Sequence, residues 1–217
     1  MQKTGGPDSG AGAGQRTRGR PRGFDRDSAL ETATRLFWRK GYAATSVSDL
    51  TEAMGIGSPS LYAAFGSKEG LYAEALRHYG ERYEALVWGN FRAAATAREA
   101  VRALLMDSAA ALTGSCGAND PLGCMVTLSA VGSEGHAELG ERVRMARHDG
   151  LMRIEERLSR AVAEGELPPG SDVAGLARLF VAVQAGMSIL ARDGASRAEL
   201  EAAALHAMQA WPKPSEG

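Results

Sequence analysis

From Phe24 onward, apolar side chains recur at helical spacing, and glycine and proline interrupt the recurrence at only a few points. Leu30, Ala33, Leu36 and Phe37 share one face of a first helix, which Asp25 or Asp27 can cap and which ends near Gly41. Thr45 is placed to cap a short second helix carrying Val47, Leu50 and Met54 on one side, and Gly55 supplies its left-handed stop. Ser58-Pro59 has the form of an N-cap followed by proline at the first helical position, where the missing N–H costs nothing. The third helix is short, with Leu61 and Phe65 inward, and Gly66 ends it. Ser67 caps a long helix that starts at Lys68 and runs toward Phe91. Further helices are predicted over 97–112, 122–132, 136–164, 172–193 and 196–210, with breaks at Gly114–Pro121, Gly132–Gly135, Pro168–Gly170 and Gly194. No stretch alternates as a strand of useful length, so the expected fold class is all-α.

Two short helices joined by Gly55-Ile56-Gly57, with a third ahead of them, form a helix-turn-helix within about residues 25–68, and its second member is the natural recognition helix. With only two turns, few of its side chains can reach base edges. Ser58, Ser60 and Tyr62 lie toward its exposed side, with Ala63 and Ala64 beside them. Such hydroxyls suit phosphate oxygens, and alanine suits a thymine methyl. Lys68, Thr45 and Ser46 stand at helix starts, where free N–H groups also favour a phosphate.

Charge adds an asymmetry to this picture. Residues 1–80 hold 11 Lys/Arg against 8 Asp/Glu, a balance of +3, while 81–217 hold 14 against 18, a balance of −4. A basic front suits a polyanion. Residues 1–23 contain seven glycines and no large apolar side chain, which predicts disorder in isolation. Within them Arg18, Arg20 and Arg22, with Arg16, alternate with small residues and Pro21, the form of an arm that enters a narrow minor groove. No apolar leader is visible, no apolar run approaches a membrane span, and two cysteines suggest reduced thiols, so a cytoplasmic location is expected.

The stretch Gly41-Tyr42 … Thr45-Ser46-Val47 … Leu50 … Met54-Gly55-Ile56 … Ser60-Leu61-Tyr62 … Phe65 … Ser67-Lys68-Glu69 … Leu71 resembles the DNA-binding domain of the TetR family of repressors. The resemblance covers about residues 25–75. It implies an N-terminal three-helix helix-turn-helix domain followed by a helical ligand-binding and dimerisation domain, in a homodimeric repressor released from a palindromic operator by a small molecule. It places DNA contacts at Thr45, Ser46, Ser58, Pro59, Ser60, Tyr62 and Lys68. The chain departs from many members in having Ala63 and Ala64 late in the recognition helix, which shifts weight to the arm and to DNA shape. The expected division is an arm over 1–23, a DNA-binding domain over 24–70 and a C-terminal domain over 71–217.

Eleven of the thirteen aromatic residues lie at or before Phe91, so a C-terminal pocket is expected to be walled mainly by aliphatic side chains. The candidates are Trp88, Phe91, Met106, Met125, Leu128, Met152, Phe180 and Met187, with Gln184 as the polar member. Cys124 falls at the start of the helix predicted over 122–132, where N–H groups would favour a thiolate, and Cys116 lies close enough to resolve it. A thiol-based redox or electrophile sensor is therefore the alternative reading. For dimerisation the last two helices offer Ala174, Leu176, Leu179, Phe180, Val183 and Met187, and Leu200, Ala203, Ala204, Ala207 and Met208. No cofactor is expected. His136 and His148 form no compact metal-ligand pattern, and a catalytic use of Cys124 with either histidine would lack an acidic orienting group.

Overall fold

The computed structural model describes residues 25–114 and 120–212. The arm arginines Arg18, Arg20 and Arg22, together with Cys116, lie outside the described residues. Among the described residues the order is α1 (Arg26–Lys40), α2 (Val47–Met54), α3 (Ser58–Phe65), α4 (Lys68–Ala93), α5 (Ala97–Leu112), α6 (Ala137–Ala163), α7 (Val173–Arg192) and α8 (Arg197–Ala207), closed by a 3-10 turn over Met208–Ala210. No strand occurs among them.

Local chemistry accounts for the helix ends. The Asp25 carboxylate accepts from the N–H groups of Asp27 and Ser28 and starts α1. Thr96 and Ser196 start α5 and α8 with reciprocal capping boxes to Glu99 and Glu199. Two expected caps are corrected. Ser46, not Thr45, caps α2, because Thr45 is wholly buried and spends its hydroxyl on the Gly41 carbonyl at 2.7 Å. Ser58 is already helical, so Gly57 is the N-cap of α3 and no side chain caps it.

The helix expected over 122–132 is instead a series of turns. Gly123 has φ +77°, and a Cβ there would stand 2.7 Å from the Ser188 carbonyl oxygen. Tertiary partners then take the backbone groups a helix would have used. Ser188 Oγ accepts from the Cys124 N–H, the Trp38 indole donates to the Gly123 carbonyl, and Arg147 donates to the carbonyls of Val126, Thr127 and Ser129. With these groups taken from outside, and Leu128 N–H closing a single four-residue bond to the Cys124 carbonyl, the segment stays in turns.

Two cores share α4. One joins α1–α3 to the first half of α4 and the 125–143 region through Phe37, Trp38, Tyr42, Leu50, Leu61, Phe65 and Tyr72. The other joins α5–α8 to the last part of α4 through Phe91, Leu104, Ile154, Leu158, Phe180 and Met187. α7 is, by length and composition, apolar enough to cross a membrane, contrary to the reading of the bare sequence. Its inner row instead packs against α5, α6 and α8, while Leu179, Ile189 and Leu190 remain exposed.

Candidate functional site

The turn between α2 and α3 sets the presentation of α3. Gly55 adopts φ 65°, ψ 31°, and its neighbour Ile56 packs against the core of the N-terminal helices. Leu50, Leu61 and Phe65 anchor the two helices inward. Ser46, Ser58, Pro59, Ser60 and Tyr62 are all exposed, and Tyr62 is 48% exposed, a large ring left in solvent at the middle of the helix. Thr45 cannot join them, since its side chain is turned inward. The Ser46–Asp49 capping box fixes the start of α2, and Lys40 pairs with Asp49 at 3.1 Å. Hydrogen bonds from the Ser46 backbone N–H and hydroxyl, with Lys40 beside them, lower the Asp49 carboxyl to about 2.

Lys68 opens α4 with its ammonium 4.1 Å from the centre of the Tyr42 ring, and partial burial lowers its pKa. The Tyr42 hydroxyl donates to Glu69 at 2.7 Å, which holds that carboxyl below its usual range. Burial raises the Tyr42 phenol, and Tyr42 also meets Tyr72 at 5.0 Å and His136 at 4.5 Å between ring centres. Tyr42 and Tyr72 therefore tie the helix-turn-helix to the region before α6. In the sequence Tyr42 stands out only as part of the Gly41-Tyr42 motif. Its aromatic spacing to Phe37, five residues away, was the available signal.

Behind this unit lies a cavity of about 530 Å³ between α4, α5, α6, α7 and the 123–127 turns. Of the predicted pocket residues, Trp88 and Gln184 line it. Phe91, Phe180 and Met187 are instead buried in the C-terminal core, and Met125 is buried in the N-terminal one. Met106 packs against the C-terminal core, Leu128 lies by Gly123 outside the lining, and Met152 is exposed on α6. The aromatic wall comes from α4, where Tyr79, Tyr83, Val87 and Trp88 face the cavity. The four-residue spacing of Tyr79, Tyr83 and Val87 marks one helix face and could have revealed them.

Trp38 of α1 packs edge-on against both Tyr79 and Tyr83, at 5.0 and 5.5 Å between ring centres. The Tyr83 hydroxyl donates to Asp120 at 2.8 Å, and Asp120 is also held by Arg82 at 2.9 Å and Arg35 of α1 at 3.3 Å. Ser108 and Gln184 meet at 2.7 Å deeper in the cavity. Burial raises the Tyr79 phenol strongly, and Cys124 lies against it. Cys124 is a half-buried free thiol on the cavity wall, approached by the Thr127 N–H at 3.5 Å. It begins no helix, which removes the argument from a helix start for a stabilised thiolate.

Several of the residues expected to pair two copies are spent inside the chain. Phe180, Met187, Leu200, Ala204 and Met208 belong to its own core. On the same two helices Leu179, Ile189, Leu190 and Leu205 are the large apolar side chains left exposed.

A three-helix reader with its recognition helix exposed, mounted on a helical body that bears a cavity, defines a helix-turn-helix DNA-binding regulator. The family model for bacterial regulatory proteins of the tetR family matches residues 29–75. The chain is 37% identical to the HTH-type transcriptional repressor ComR of Escherichia coli K12, over 92% of this chain and 94% of that protein. It is 50% identical to the repressor BdcR of the same organism over 64 residues, 30% of this chain and 32% of that one. Among solved structures it matches a cysteine-substituted form of the TetR family regulator CifR complexed with 26-base-pair operator DNA, at 39% identity and a TM-score of 0.82, over 89% of this chain and all of that one. The protein belongs to the TetR family. It is a DNA-binding transcriptional regulator whose partner is double-stranded DNA.

Proposed function

We propose that the protein is a ligand-released repressor acting in the cytoplasm as a homodimer on a palindromic operator, and that it is a regulator rather than an enzyme. The observation that carries this reading is the packing of Trp38 against Tyr79 and Tyr83, which puts α1 of the DNA-binding unit directly behind two side chains of the cavity wall. The name of ComR as a repressor and the operator complex of CifR support it. In this reading residues 1–23 form the arm, 24–70 the DNA-binding part and 71–217 the C-terminal part. Ser46, Ser58, Pro59, Ser60, Tyr62 and Lys68 meet DNA, with Arg18, Arg20 and Arg22 in the flanking minor groove. Two copies join through α7 and α8, using Leu179, Ile189, Leu190 and Leu205.

A molecule entering the cavity displaces Tyr79, Tyr83 or the Gly123 turn, and each of these touches α1 or a partner of α1. The reader then tilts relative to α7 and α8, and the spacing of the two recognition helices no longer suits one site. A coupling of about 1–3 kcal/mol suffices for a 5–150-fold change in affinity. The test is a gel shift on the protein's own promoter. Tyr62→Ala and Ser60→Ala together should abolish specific retardation without loss of fold. Retained binding by that variant would refute the placement of the reader.

A further inference from the structure

We infer that the cavity is built for an uncharged, largely apolar molecule of two or three rings that carries one hydroxyl, docked on the Ser108–Gln184 pair. Its regulatory meaning rests on the repressor reading above, whereas the chemistry of binding does not.

Size comes first. A cavity of about 150 Å³ takes one benzene. The 530 Å³ here exceeds that severalfold and lies within the range of small-molecule pockets. The walls come next. Tyr79, Tyr83 and Trp88 give ring faces and edges from α4, with Leu112 and Val181 opposite them as aliphatic surface.

Charge then narrows the class. Four charged residues line the space, Glu84, Arg147, Asp149 and Arg153. Arg147 donates to the carbonyls of Val126, Thr127 and Ser129, so its guanidinium already has acceptors. Arg153 pairs with Glu84 at 2.7 Å and lies over the Trp88 ring. Asp149 is exposed and has no ion-pair partner among the described residues. Carbonyls occupy the Arg147 N–H groups without cancelling its charge, so Arg147 offsets Asp149 as Arg153 offsets Glu84 and the lining carries no net charge. A ligand charge of either sign removed from water there would be costly.

The interior keeps one polar handle. Gln184 Nε2 donates to Ser108 Oγ at 2.7 Å, and Ser108 is buried. The amide oxygen is the edge left for a ligand, and it accepts from a hydroxyl. An amide edge covered by an apolar ligand and left unmatched costs binding, so the handle selects for one polar group placed there.

The test uses three probes on one skeleton with the full-length protein, 2-naphthalenemethanol, 2-naphthoate and 2-methylnaphthalene, followed by equilibrium dialysis at neutral pH. The alcohol should bind at least tenfold more tightly than the carboxylate. Gln184→Leu, or Gln184→Met as the closer match in shape, should weaken the alcohol about tenfold and leave the hydrocarbon within twofold. Val181→Trp, which fills the space, should abolish binding of both. Naphthoate binding as well as the alcohol, no saturable binding of any probe, equal loss of alcohol and hydrocarbon in both Gln184 variants, or no effect of Val181→Trp would each overturn the inference. A parallel gel shift separates the two readings. Binding with this profile and no release of promoter DNA upholds the ligand chemistry and counts against the inducer role.

Discussion

The indole N–H of Trp38 and the carbonyl of Gly123 meet at 3.1 Å across 85 residues of sequence. Trp38 lies in α1 and Gly123 lines the cavity, so one hydrogen bond joins the DNA-binding unit to the effector wall. Trp38→Phe keeps an aromatic ring against Tyr79 and Tyr83 but leaves that carbonyl without its donor. The expected cost is about 1–2 kcal/mol, read as a lower urea midpoint at unchanged slope. Promoter binding should persist in this variant, because no DNA-facing side chain changes.

Asp120 is the second tie, and its side chain is 1% exposed between Arg35, Arg82 and Tyr83. Asp120→Asn removes the buried one of the two charges that both guanidiniums share, the other being Glu31. Each arginine is about one-third exposed, so water recovers part of the loss, and about 1–3 kcal/mol of destabilisation is expected. A larger effect on stability at low salt than at 1 M salt would identify the electrostatic part.

Much of this arrangement was legible in the sequence. Leu30, Leu50, Leu61 and Phe65 announced the three-helix unit by spacing, and Gly55 and Ser67 marked its punctuation correctly. What failed was decided by partners distant in sequence. Ser188, Trp38 and Arg147 take five of the backbone groups of 123–129, and no local pattern reveals that a helix-like run will be held open from three sides. Thr45 and Ser46 were ordered wrongly because both side chains can cap, and the burial that separates them is tertiary. For the cavity, the aromatic count pointed away from the C-terminal part, yet α4 belongs to both cores and carries Tyr79, Tyr83 and Trp88 into it.

Gly140 at the start of α6 approaches Gly132 so closely that a Cβ on Gly140 would lie 2.4 Å from the Gly132 Cα. The obstacle is backbone, which cannot rotate away. Gly140→Ala should therefore destabilise by about 1–3 kcal/mol despite the better helix propensity of alanine. Thermal unfolding checks the sign, and a gain in Tm would show that the two segments are free to separate.

The capping box at α2 gives a pH dependence of known sign. Asp49 is lowered from 3.8 to about 2 by its bonds to Ser46, so the folded state favours the carboxylate. The stabilisation is present above pH 4 and is lost as the pH falls toward 2. Asp49→Asn should flatten this part of the acid limb in a stability-against-pH profile. Ser46→Ala should cost about 1 kcal/mol at neutral pH through loss of the cap.

Salt dependence tests where DNA affinity originates. Residues 25–68 contain Arg26, Arg35, Arg39, Lys40 and Lys68 against Asp25, Asp27, Glu31, Asp49 and Glu52, five against five, a net charge of zero. Three of those cations are committed internally, Arg26 to Glu74, Arg35 to Glu31 and Asp120, and Lys40 to Asp49. Lys68 is partly spent on Tyr42. The reader itself thus offers little net attraction for phosphates, and Arg16, Arg18, Arg20 and Arg22 are the nearest concentration of positive charge in the sequence. Each neutralised phosphate contributes about 0.9 to the slope of log affinity against log salt. Deleting residues 1–23 should lower that slope by about 3 per protomer and weaken promoter binding at low salt far more than at high salt. Replacing only Arg18, Arg20 and Arg22 with alanine should recover most of the deletion's effect. An unchanged slope in both forms would place the phosphate contacts on α2, α3 and Lys68 alone.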